Sequence, residues 1–154
     1  MNAAVNAFFL ILKLLSLYFL VVSLFSLCKR KMQKSSTTQR RFAVLIAARN
    51  EESCIAGLIE SLLAQNYPSE LFDIWVLPNN CTDHTADAAR HAGGKVLEMP
   101  TSIHSKGAAL QYAANTLLHG SRYYDAFCVF DADNEVDPAF LSEMNQALSR
   151  SAIV

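Results

Sequence analysis

Hydrophobic and polar positions divide the chain into an unpatterned apolar stretch, a short polar interval and a long alternating region. From Phe8 to Cys28 a single charge, Lys13, interrupts the apolar run. A helix of that length rises about 31 Å, enough to cross a hydrocarbon core of about 30 Å. Residues 29–41 are basic and polar, and read as a juxtamembrane linker. Beyond them the period switches repeatedly between strand and helix. Phe42 to Ala48 is a continuous apolar run of strand length, as expected for a strand buried on both faces. Ile55, Leu58, Ile59, Leu62 and Leu63 follow helical spacing, with Ser53 as the expected N-cap. Phe72 to Leu77 reads as a second strand, and a helix from Asp83 is ended by Gly93 and Gly94. Lys95 to Met99 reads as a third strand, and Gly107 to His119 as a helix. Ala126 to Phe130 reads as a fourth strand, and Asp137-Pro138 is expected to cap a last helix, with proline at its first position. Ala152 to Val154 resembles the start of another strand.

Four strand–helix alternations predict an α/β fold, a Rossmann-like parallel sheet with right-handed crossovers, preceded by one transmembrane helix. Ligands of such sheets bind beyond the carboxyl ends of the strands, so the loops 48–53, 78–83, 100–106 and 131–137 carry the candidate chemistry.

Charge changes the picture at one place. The chain is nearly neutral, with a formal net charge of -1, which leaves no basic face for a nucleic acid. The positive residues that do cluster, Lys29, Arg30, Lys31, Lys34, Arg40 and Arg41, all follow the apolar run. The positive-inside rule then puts the N-terminus outside a cell membrane crossed once and the rest in the cytoplasm. A cleaved signal peptide would carry its basic residues first and small residues at its end. Leu27 is also too bulky to precede a lipidated Cys28. Cys28, Cys54, Cys81 and Cys128 show neither C-x-x-C pairing nor metal-ligand spacing, which suits free thiols in a reducing compartment.

Asp131-Ala132-Asp133 stands directly after the fourth strand. Two carboxylates two apart at a strand end can share a hard divalent cation, Mg²⁺ or Mn²⁺, and so neutralise a diphosphate. A calcium loop starting at Asp131 would need glycine and glutamate where Val136 and Ser142 stand. Neither a Walker-type phosphate loop nor G-x-G-x-x-G is present.

Four segments together resemble family 2 glycosyltransferases. Val44-Leu45-Ile46-Ala47-Ala48-Arg49-Asn50-Glu51-Glu52 is similar to V-x-I-P-A-Y-N-E-E. Asn80-Cys81-Thr82-Asp83-His84-Thr85 resembles the end of A-D-N-C-T-D-x-T. Lys106-Gly107-x-Ala109-Leu110 resembles K-G-x-A-L, and Val129 to Asn134 resembles V-F-D-A-D-N. The spellings look most like the membrane-bound synthases of cellulose, hyaluronan or poly-N-acetylglucosamine. The resemblance implies the N-terminal half of a GT-A fold over 42–154 and inverting transfer from a nucleotide sugar, usually a UDP-sugar, to a glycan or lipid-linked acceptor. It implies that Arg49 and Glu51 line the nucleobase and ribose, that Asn79 accepts from uracil, and that Lys106 approaches the donor phosphates. Asp131 and Asp133 match the metal-binding pair, with Asp133 the more direct ligand.

Three positions depart from the pattern. Ala47 stands for proline, Arg49 for tyrosine and Asn79 for aspartate. A guanidinium can still stack on a base, and an amide oxygen can still accept, without charge assistance. The resemblance also implies a general base in a T-E-D motif and an acceptor motif Q-x-x-R-W downstream, and nothing after Asp133 matches either. The expectation is a fragment inactive by itself, with a non-catalytic membrane-anchored nucleotide-binding or interaction module as the alternative.

Overall fold

The computed structural model describes residues 2–27 and 38–149. The residues separate into two units, divided between Lys34 and Ser35. Cys28, the basic cluster at 29–34 and the strand expected at Ala152–Val154 lie outside the described residues.

The first unit is the helix α1, Asn2–Leu27. Its segment Val5–Leu24 has a mean hydropathy of 2.4. This helix is long and apolar enough to cross a membrane. Its Ser23 hydroxyl donates to the Phe19 carbonyl at 2.8 Å, which satisfies the hydroxyl within the helix and leaves the outer surface apolar.

The second unit is a four-stranded sheet of β1 (Phe42–Ala48), β2 (Phe72–Pro78), β3 (Lys95–Val96) and β4 (Ala126–Asp131), in the order β3-β2-β1-β4. Every pairing is parallel. The direction of progression reverses between β1 and β4, which makes that junction the topological switch point, where such sheets bind ligands. Because side chains alternate, β1 feeds two cores. Phe42, Val44 and Ile46 pack with α2 (Ile55–Leu63), α3 (Thr85–His91) and α5 (Phe140–Leu148). Ala43 and Leu45 pack with Ala113 and Leu117 of α4 (Lys106–Leu118). Ile55, Leu58, Ile59 and Leu62 are all essentially inaccessible, each contributing about 2 kcal/mol of burial.

Most local boundaries follow the sequence signals. Gly93, at φ 96°, ends α3; its N–H donates to Arg90 O, and that of Gly94 to Ala89 O. This double bond is the Schellman arrangement. Three expectations are corrected. The third strand covers Lys95–Val96 rather than Lys95–Met99: Leu97 N–H still reaches Val76 O at 2.9 Å, and the chain then leaves the sheet edge. Ser53 does not cap α2; Cys54 occupies that position with no side-chain cap bond, and the backbone of Glu51 accepts from Cys54 and Ile55 instead. The last helix starts at Phe140, not at Pro138. The Asp137 carboxylate accepts from Ala139 N–H at 2.8 Å, but the Leu141 N–H is met by Gln65 Oε1 at 3.0 Å, from the turn that follows α2.

Long-range bonds close the domain. Arg40 N–H is shared by the Tyr67 hydroxyl and Asn145 Oδ1. Arg41 N–H donates to Asp125 Oδ2, and Ala126 N–H donates back to Arg41 O. At the start of β2, the buried Asp73 carboxylate accepts from Lys95 Nζ at 2.7 Å and from the Tyr124 hydroxyl at 2.6 Å, with Arg122 Nε 3.0 Å away.

Candidate functional site

The loops leaving β1 and β2 are knitted to each other. Asn50 and Asn80, the residues that turn the chain there, adopt φ of 59° and 53°, a region asparagine enters more readily than most residues. Asn50 Oδ1 accepts from Thr82 N–H at 2.8 Å, and Glu51 N–H donates to Thr85 Oγ1 at 2.9 Å. Asp83 accepts from the Thr85 hydroxyl and from the N–H groups of Thr85 and Glu52. The Thr85 hydroxyl above all, with those backbone donors, holds the Asp83 carboxyl below the usual carboxylate range. These bonds fix the wall of a cleft without spending the side chains that face into it.

That cleft has a volume of about 240 Å³ and is lined by Arg49, Glu51, Asn79, His104 and Lys106, with Ala47, Ala48 and Ala109 as its small apolar floor. Four of the six predicted site residues, Arg49, Glu51, Asn79 and Lys106, therefore meet at the carboxyl ends of β1 and β2. Asp131 is the β4 neighbour of Ala47 in the sheet register, and its carboxylate is ion-paired with Lys106 Nζ. Lys106 thus links the cleft to the acidic turn. It is also the first residue of α4, whose N-terminus is capped by Ser105 Oγ accepting from Ala108 N–H. The N-terminal end of a helix of this length favours an anion.

Asp133 lies apart from the cleft. It lines a second depression with Cys54, Ser61 and Glu60 of the α2 side. The turn that carries it is closed by Asn134 N–H donating to Asp131 O at 3.2 Å. With its amide turned so that the nitrogen faces them, Asn134 donates to Asp131 O and to Asp133 Oδ1, each at 3.1 Å. Among the described residues no third carboxylate, thiol or imidazole joins Asp131 and Asp133. Both carboxylates are exposed, so hard oxygen valences are open there. This fits Mg²⁺ or Mn²⁺, which keep waters and take substrate phosphate oxygens rather than a complete protein cage.

Asn79 is buried, and its Oδ1 already accepts from Asn80 Nδ2 at 2.8 Å. One lone pair remains for a ligand donor. Asn80 Nδ2 also reaches Ile103 O at 2.8 Å, with His104 Nδ1 at 3.5 Å. His104 was not singled out in the sequence, because no spacing rule ties a histidine in a 100–106 loop to the first strand. Cys54 donates its thiol to Glu51 Oε2 at 3.0 Å. That bond, with burial and the Glu51 charge, pushes the thiol up to about 11, which makes it a poor nucleophile at neutral pH.

Residues 43–154 match the family model described as glycosyl transferase family 2. Two curated relatives are β-monoglucosyldiacylglycerol synthases. The Nostoc enzyme is 40% identical over 43 residues, which are 28% of this chain and 9% of that protein. The Synechocystis enzyme is 29% identical over 51 residues, 33% of this chain and 11% of that protein. These matches cover only about a tenth of the relatives' length. Among solved structures, a mannosyltransferase from Pyrobaculum calidifontis, in complex with GDP-Man and Mn²⁺, superposes with a TM-score of 0.68. It is 22% identical and is matched over 86% of this chain and 39% of its own. Glucosyl-3-phosphoglycerate synthase from Mycobacterium tuberculosis, in complex with Mn²⁺, UDP and glucosyl-3-phosphoglycerate, gives 0.51 at 24% identity, over 67% of this chain and 37% of its own. At such identities the likeness is one of fold, a GT-A sheet. The family match spans most of the chain, all four strands and the acidic turn included. The chain belongs to glycosyl transferase family 2.

Proposed function

We propose that this chain forms the nucleotide-sugar-binding part of a membrane-anchored inverting glycosyltransferase, with a UDP-sugar as donor. The observation that carries the reading is the convergence of Arg49, Glu51, Asn79 and Lys106 on one cleft at the switch-point end of the sheet, bridged by Lys106 to Asp131. In this reading the base rests against Arg49 and donates its N–H to the free lone pair of Asn79, while Glu51 accepts from the ribose. Lys106 and the N-terminus of α4 face the diphosphate. A divalent cation held by Asp131 and Asp133 would offset the charge that builds on the leaving nucleoside diphosphate. Transfer breaks the bond from the anomeric carbon to the phosphate oxygen as an acceptor hydroxyl attacks from the other face. The group that takes the hydroxyl proton is not among these residues, so the role proposed for this chain is donor binding. Helix α1 serves as the anchor and holds the domain on the cytoplasmic side. The names of the Nostoc and Synechocystis relatives favour a lipid acceptor over a glycan.

The test compares two acids four positions apart. Asp133→Ala is expected to remove Mn²⁺-dependent UDP binding. Asp137→Ala, which loses the bond to Ala139 N–H, should cost about 1 kcal/mol of stability and leave binding intact. Isothermal titration with UDP, with and without Mn²⁺, reads both. Equal loss in the two variants, or binding by the parent that ignores the metal, would overturn the assignment.

A further inference from the structure

The amino ends of the strands carry a further, open cavity, at the opposite end of the sheet from the donor cleft. It has a volume of about 470 Å³, and Arg41, Arg122, Ser121, Tyr123, Gln39 and Asp125 line it. Arg41 directly precedes β1, and Asp125 directly precedes β4. Two guanidinium groups converge here on one neutral atom: Arg41 Nη1 donates to Glu70 O at 2.5 Å and Arg122 Nη2 donates to the same oxygen at 2.7 Å. Like charges brought together on a single carbonyl repel each other and leave most of their donors unspent, since each guanidinium has five. Arg122 also meets Asp73, whereas Arg41 forms no ion pair among the described residues. The one acid in the lining, Asp125, turns an oxygen to the Arg41 N–H. What such a pair lacks is an oxyanion to bridge it, and planar guanidinium forks match phosphate oxygens well.

The surroundings favour a phosphate carried on a membrane surface. Tyr123 stands at the cavity with 76% of its surface exposed, an amphipathic ring of the kind that settles at headgroup level. In sequence, Arg41 is joined to the apolar α1 through a stretch that includes Lys29, Arg30, Lys31 and Lys34. Such juxtamembrane basic segments are drawn to anionic lipid. We propose that this cavity binds the phosphate of an anionic phospholipid headgroup through Arg41 and Arg122, with Tyr123 at the interface. The proposal rests on the reading of α1 as a membrane anchor. Since the site and the donor cleft are at opposite ends of the strands, both can be filled together.

The test uses the full chain reconstituted with vesicles of phosphatidylcholine, or of phosphatidylcholine with an equimolar share of phosphatidylglycerol. Amide hydrogen exchange is read in peptides covering 38–41 and 121–125. Exchange there is expected to slow several-fold with phosphatidylglycerol and not with phosphatidylcholine alone. Arg41→Gln and Tyr123→Ser should each abolish the slowing, while Arg90→Gln on α3 keeps it. Neither of the first two is bonded to Asp73, Tyr124 or Trp75, so unchanged emission from Trp75 certifies that they fold. Equal slowing by both vesicle types, persistence in both variants, or the same slowing by inorganic phosphate at matched concentration each overturns the lipid site. Flotation with pure phosphatidylcholine vesicles tests the anchor separately. Failure to float would sink the anchor reading, while the dependence on phosphatidylglycerol still decides the cavity.

Discussion

Replacing Asp73 by asparagine removes the charge at the centre of the network that ties β2 to β3 and to the segment before β4. The Asp73 side chain is 5% exposed, and Lys95 and Arg122 are 50% and 42% exposed. Breaking a fully buried pair costs about 3–5 kcal/mol. Here both cations can recover water, so the cost falls to about 2 kcal/mol. Asparagine keeps the volume and can still accept from Tyr124, but its NH₂ opposes the Lys95 ammonium. With a urea slope of about 2 kcal/mol/M, the midpoint should drop by about 1 M. Trp75 is the sole tryptophan and donates its indole N–H to the Tyr124 hydroxyl at 3.2 Å, so its fluorescence reports unfolding from within the network. The pH dependence adds a sign. Burial opposes ionisation of Asp73, but the hydrogen bonds from Lys95 and Tyr124 and the charges of Lys95 and Arg122 outweigh it and hold its pKa below the ordinary value. A carboxyl depressed in the folded state stabilises above its unfolded pKa, about 3.9, and that share is lost as pH falls through the folded value. The gap between parent and variant should therefore be constant from pH 7 to about 5 and shrink below about 4. An unchanged midpoint at pH 7, or a gap that ignores acid, would refute the reasoning.

Two glycines should respond in opposite directions. A methyl at Gly94 would meet Ile59 Cδ1 at 3.0 Å, Ala89 O at 3.1 Å and Val76 Cγ2 at 3.2 Å, so Gly94→Ala should destabilise by about 1–3 kcal/mol. Gly57 lies inside α2 with nothing within 4 Å of a methyl, and Gly57→Ala should stabilise by about 0.5–1 kcal/mol in the same urea assay. Burial pushes the Cys128 thiol up to about 11, as its bond to Glu51 does for Cys54. Peptide-resolved alkylation at pH 8 should find both slow, and Glu51→Gln should speed Cys54 while leaving Cys128 unchanged.

The three long strands, β1, β2 and β4, were readable because their apolar runs are long relative to their turns. Phe42 to Ala48 matched β1 residue for residue, and burial on both faces is what its unbroken composition requires. The motif residues at the strand ends were readable for a different reason. Arg49, Glu51 and Asn79 each follow a strand, and a parallel sheet brings all such positions to one end. Polar partners arriving from afar were not readable. Gln65 meeting Leu141, or Thr85 meeting Glu51 N–H, depends on three-dimensional packing that no local period encodes. Nothing within the run Phe72–Leu77 accounts for Asp73; its partners Lys95, Arg122 and Tyr124 do. His104 entered the cleft by the same kind of long-range approach.

The order β3-β2-β1-β4 has a consequence for the protein as it is being made. β1 is the first strand to leave the ribosome, and one of its two neighbours is the last of the four. Arg41 and Asp125, which are bonded where those strands begin, are 84 positions apart. At ordinary rates of synthesis that interval lasts on the order of ten seconds. Throughout it, one edge of the most apolar strand in the domain has no native partner to zip against. An apolar edge left unpaired for that long exposes the nascent chain to aggregation, at a cost to the yield of folded protein. Slowing translation between β3 and β4 should lower that yield, and speeding it should raise it.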